Sequence, residues 1–116
     1  MAIAVATTRQ LMANYYVTLG TWVGVCTGDP GTTNTPVNEA TGGTPPYARL
    51  QTTFTSGTGG VSNGSACNVN LAAGTYNYIL LASAVSGATM IDKAAVTPNT
   101  LSTQGVLVVT PVFTET

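Results

Sequence analysis

Period-two alternation of apolar and polar residues recurs along most of this chain, and it leaves little choice but strands. From Ala48 to Thr55, Leu50, Thr52 and Phe54 point one way and Arg49, Gln51 and Thr53 the other. Cys67, Val69 and Leu71 alternate with Asn68 and Asn70, and both strands read as half-buried. Thr21 to Thr27 alternates small and large apolar residues and predicts a strand buried on both faces. In YNYILLAS, Tyr76, Tyr78 and Leu80 share one face and Ile79 and Leu81 the other, which predicts the central strand. Thr89 to Val96 and the run VLVVTPVF, 106–113, complete the set, with Pro111 confining the end of the last strand to a sheet edge or bulge. Short strands at roughly ten-residue spacing predict an all-β antiparallel β-sandwich, or a flattened barrel. The expected core is Trp22, Val25, Leu50, Phe54, Val69, Tyr78, Leu80, Ile91, Leu107 and Val109.

One short N-terminal helix precedes the strands. Thr7 and Gln10 have capping-box spacing, Leu11, Tyr15 and Leu19 recur at i+4, and Gly20 stands at a C′ position. Met12 and Tyr16 widen a stripe expected to pack on the sheet. Met1 to Ala6 is apolar and uncapped, and either adds to a sheet or reaches a neighbouring molecule. Residues 56–65 read as a flexible turn cluster, and 97–105 as a loop opened by Pro98.

The 116 residues fit a single domain, 1–116. Residues 28–49, GDPGTTNTPVNEATGGTPPYAR, have no element-forming pattern, yet their glycines and prolines restrict the backbone enough to give one shape. Loops of this length usually bind or assemble, so this segment is expected to be an ordered contact loop with Val37 and Tyr47 as apolar anchors and Arg49 paired to a carboxylate. Met1 and Ile3 are the remaining interface candidates.

Only 6% of residues are charged, against roughly 25% in ordinary soluble domains. Threonine, the commonest residue, takes over the water-facing role, and a charge-poor surface suits a protein that packs against copies of something else. Three basic residues and a net charge of −1 argue against direct nucleic-acid binding. Neither a membrane span nor a signal peptide is legible, so the expected compartment is the cytoplasm, where Cys26 and Cys67 stay thiols.

Without histidine, the commonest general base and metal ligand is missing, and no CxxC pair or phosphate loop occurs. Glu39 and Asp92 could form a glycosidase-type carboxylate pair, but Arg49 and Lys93 offer them ordinary ionic partners. Asp29 is expected to make a side-chain turn ahead of Pro30 and Gly31. The reading is a protein with no catalytic residue, cofactor or metal. A carbohydrate- or receptor-binding module using Trp22, Tyr47 or Tyr76 as stacking platforms is the weaker alternative.

The segments WVGVCTGDPGTTNTPVNEATGGTPPYARLQTTF and VSNGSACNVNLAAGTYNYILLASAVSGATMID, with the terminal β run, resemble small virion proteins of tailed bacteriophages of actinobacteria, variously described as capsid decoration or tail fibre proteins. The likeness covers Gly20 to Phe113. Tyr76 departs from it where tryptophan is usual, and Ala88 where a second glycine is usual. The resemblance implies a non-enzymatic structural protein located in the virion after assembly in the bacterial cytoplasm. Its expected partners are the major capsid protein and copies of itself, as a trimer. A compact chain without long repeats or coiled coils fits the capsid better than the tail fibre or tail tip.

Overall fold

A computed structural model describes residues 2–115, and Met1 lies outside the described residues. The alternating segments become antiparallel strands, in a sandwich-like arrangement with one short helix. In chain order these are α1 (Ala6–Tyr16), β1 (Trp22–Cys26), β2 (Leu50–Gln51), β3 (Thr55–Ser56), β4 (Val61–Asn63), β5 (Cys67–Leu71), β6 (Gly74–Ala82), β7 (Met90–Leu101), β8 (Gly105–Val109) and β9 (Val112–Thr114). They form three sheets, ordered β2-β1-β6-β7, β3-β4-β9 and β5-β8.

β6 is central, flanked by β1 and β7, because its alternating large residues can be buried on both faces. Its register with β1 places Val23 opposite Leu81 and Val25 opposite Ile79 on one face. That face packs on Cys67, Val69, Leu71 and Val109 of the β5–β8 ribbon and forms the main core. Cys26, Leu80, Ala82 and Met90 make a second cluster, with Trp22 and Tyr78 packed against it. All ten expected core residues lie in or against these clusters.

Tyr76 is a correction. A register shift between Tyr76 and Tyr78 turns Tyr76 into the main core, away from Tyr78 and Leu80, and its hydroxyl donates to the Ala72 carbonyl at 2.7 Å. The same irregularity absorbs Pro98. β7 extends through the first part of the expected 97–105 loop, as far as Leu101, because it is an edge strand and Pro98 falls between the paired positions Ala95 and Asn99; only 102–104 form the turn into β8. The expected turn cluster 56–65 holds β4, whose pairing with both β3 and β9 supplies structure that its polar sequence does not announce. The single strand expected over 48–55 is interrupted into β2 and β3, and Pro111 separates β8 from β9.

The capping box also fails. Val5 is the N-cap and no side chain caps it. Gln10 instead reaches across the molecule: its Oε1 accepts from the Gly60 and Val61 amides at 3.0 and 3.1 Å, and its Nε2 donates to the Val61 carbonyl at 2.9 Å. Gly20 is not a C′ residue, since α1 ends at Tyr16; it is buried where a Cβ would meet the Ala82 carbonyl oxygen at 2.4 Å.

Candidate interaction surface

The loop 28–49 is held from beneath by an internal polar clamp. Arg49 is 2% exposed and uses all five of its N–H groups. Nε and Nη2 grip Glu39 at 2.8 Å each; the remaining bonds go to Ala84 O, Thr89 Oγ1 and Gly87 O in the turn between β6 and β7. Tyr47 completes the clamp: its hydroxyl donates to Glu39 Oε2 at 2.6 Å and accepts from the Val25 amide at 3.2 Å. Glu39 also bridges Cys26 in the backbone, so it continues the β1 edge that β2 begins.

The electrostatics follow from this geometry. Burial alone would raise the Glu39 carboxyl, but the hydrogen bonds from Arg49 and Tyr47 outweigh it and hold the group below its usual value. Burial and the adjacent Glu39 push the Tyr47 hydroxyl far up. The Glu39 hydrogen bonds likewise raise Arg49. Burial, with Glu39 next, pushes the Cys26 thiol up to about 12, so it stays protonated and unreactive. Cys26 and Cys67 are both buried free thiols.

A second tie joins the start of the loop to β7. Lys93 Nζ donates to Asp29 Oδ1 at 2.5 Å and lies 5.8 Å above the Tyr78 ring, while Asp29 Oδ1 also accepts from the Gly31 amide at 2.9 Å, the side-chain turn expected there. Asp92 is therefore not the ionic partner of the Lys93 ammonium; Asp92 accepts from the Tyr16 hydroxyl. Glu39 and Asp92 serve different clusters and make no carboxylate pair.

The expected carboxylate partner of Arg49 is Glu39 of the same chain. Tyr47 and Arg49 point inward and shape the loop. Val37 is exposed, Ile3 is half-buried with its carbonyl accepting from Arg9 Nη1 at 2.8 Å, and Met1 is outside the described residues. As for the proposed stacking platforms, Tyr76 is buried, Tyr47 belongs to the clamp and Trp22 packs on the second core cluster.

The apolar surface lies elsewhere. The α1 stripe expected to cover the sheet faces outward, with Leu11 68% and Tyr15 63% exposed, and Met12 and Leu19 exposed beside them. Only Ala13 of the helix is buried, and Tyr16 stacks on Phe113 with ring centroids 3.6 Å apart and planes 10° from parallel. The i+4 spacing marked an apolar stripe correctly; it could not say which side of the helix the sheet would take. That side was chosen by Gln10, Ala13 and Tyr16, whose contacts with 60–61 and Phe113 fix the docking angle.

Behind Tyr16 lies an open cleft of about 150 Å³, walled by Phe54, Ile79, Pro111 and Phe113 with Asp92 at its rim. Both Asp92 oxygens already accept bonds, from the Tyr16 hydroxyl and from the Lys93 amide, so the cleft offers mainly apolar walls. Among the described residues, no group of three or more Cys, Asp or Glu gathers where it could hold a metal. What this surface can do chemically is bury apolar area against another macromolecule. Comparison with protein-family models, curated proteins and solved structures finds no match.

Proposed function

We propose that this chain is a non-enzymatic structural protein of a tailed-phage virion, which decorates the outer face of the head by binding the major capsid protein. The observation that carries the reading is the outward apolar face of α1, Leu11, Met12 and Tyr15, on a chain with only 6% charged residues. A face of this kind is wasteful on a free monomer, and docking it desolvates few charges. The pinned loop 28–49 supports the same reading, because a preorganised surface loses less entropy on docking than a mobile one. Its exposed Val37 then stands as an apolar contact. The sequence resemblance to phage decoration and tail fibre proteins gives the partner its identity.

Quantitative mass spectrometry of purified particles tests the assignment. A copy number that scales with the major capsid protein supports decoration. A copy number matching the few subunits of a tail tip, or immunogold label confined to tails, replaces it with the tail reading.

A further inference from the structure

β8, Gly105–Val109, has one strand partner among the described residues. It pairs with β5 from Leu71↔Gly105 through Val69↔Leu107 to Cys67↔Val109, and no strand lies on its other side. In an antiparallel pair, alternate residues turn their N–H and C=O groups away from the partner. Among the described residues, none of the hydrogen bonds outside the regular elements, main-chain or side-chain, engages the backbone of 105–109. The outward row is thus unpaired, and the chemistry that satisfies such a row is another extended strand.

Apart from β5, the ribbon's other edge, which lies against β1 and β2 in the core, the other edges are guarded and this one is not. β7 carries Asp92, Lys93 and Pro98 and is broken by register shifts; β2 and β3 are two residues long, and β9 three. Charge, proline, irregularity and shortness are the usual defences of a free edge. β8 reads GVLVV, β-branched at three of its five positions, and the whole of 101–113 contains no charged residue. Val106 and Val108 stand exposed on its outer face, Val108 at 60%.

The geometry points to β8 as a self-association edge: two copies pair their β8 strands antiparallel about a two-fold axis, joining two β5–β8 ribbons into one continuous four-stranded sheet. Centred on Leu107, this pairing sets Val106 opposite Val108 of the second copy, and Val108 opposite its Val106, on the same outer face. Both exposed valines then gain β-branched cross-strand neighbours. A second copy fits because the edge is complementary to itself: it is uncharged, so no like charges meet, and an antiparallel pair closes under a two-fold. The pairing replaces the trimer expected from sequence with a dimer. It stands independently of the capsid reading, since it concerns the free chain.

Sedimentation velocity of the full chain from micromolar to millimolar concentration tests it, alongside Val106→Lys/Val108→Lys and Val106→Glu/Val108→Glu double variants. The expected result is a monomer–dimer equilibrium in the native chain. Each double variant, which places like charges opposite one another, raises the dimer Kd about tenfold or more. Mixing the lysine and glutamate variants restores association, because opposite charges then face each other across the pair. Amide hydrogen exchange gives the second readout, with alternate amides of 105–109 slowing as concentration rises while circular dichroism stays unchanged. A native chain that is monomeric throughout, a trimer, or a dimer whose Kd ignores both double variants overturns the proposal. So does a mixture that stays monomeric.

Discussion

Arg49 and Glu39, both within the 22-residue loop 28–49, meet in a bidentate ion pair that closes the loop on itself, with the guanidinium 2% exposed and the carboxylate 21%. The pair is not a surface ornament, because Arg49 also ties down three groups of the β6–β7 turn. Replacing Arg49 with Met keeps the apolar stem but strands Glu39 against a buried wall. The expected loss is about 3 kcal/mol, the low end for breaking a buried pair, given the partial exposure of Glu39. Urea denaturation checks it, and a loss within error of zero shows that the clamp contributes nothing to folding.

The same pair sets an acid limit. Because Glu39 is held below its usual 4.5 in the folded chain, it binds fewer protons there than in the unfolded chain as pH falls. Its stabilising contribution is therefore complete above about pH 4.5 and disappears as pH drops through the folded value. Thermal unfolding between neutral pH and pH 3 should show this slope in the native chain and a flatter one in Glu39→Gln.

Thr7 and Gln10 separate a local reading of α1 from a tertiary one. With no capping box present, Thr7→Ala should change stability by less than about 0.5 kcal/mol. Gln10→Ala removes the partners of the Gly60 and Val61 amides and should cost about 1–3 kcal/mol. Equal losses in the two variants would restore the capping box as the dominant effect.

Gly20 makes a similarly sharp case. Its Cβ would sit 2.4 Å from the Ala82 carbonyl oxygen, so Gly20→Ala must push the α1–β1 connection off the end of β6. The expected destabilisation is about 1–3 kcal/mol, measured by chemical denaturation. A helix C′ role would predict no clash at this position and a smaller loss.

Where the sequence was legible, one face of a strand had to be apolar and the other had a defined neighbour. β1, β5 and β8 were readable for that reason: Val25, Val69 and Val109 fall where alternation puts them. β4 was not, because VSN carries no alternation and its partner β9 lies some fifty residues further on. Tyr76 was misassigned because a bulge resets the period, and a bulge leaves no mark in residue type alone. Arg49 fell on the face predicted to be wet, since alternation counts polarity and cannot foresee that five N–H groups will all find partners. The loop was recognised as ordered from its glycines and prolines, but of its two expected outward anchors only Val37 is exposed, while Tyr47 turns inward and helps to order the loop.

The outward face of α1 carries the last prediction. Leu11 and Tyr15 have few neighbours to lose, so Leu11→Ser with Tyr15→Ser should leave folding stability within about 1 kcal/mol of the native chain. Attachment is another matter. If this face docks on the capsid shell, the double variant removes the two largest exposed apolar groups of the contact, and truncating such anchors typically costs about 2 kcal/mol or more apiece. Retention on particles lacking the native protein should then fall by more than tenfold, read by co-sedimentation of labelled chain with purified heads. A Val37→Ser variant measures the loop's share in the same assay. Full retention of the α1 variant with loss in the Val37 variant would move the contact from the helix to the loop, and full retention of both would remove this face from the capsid interface.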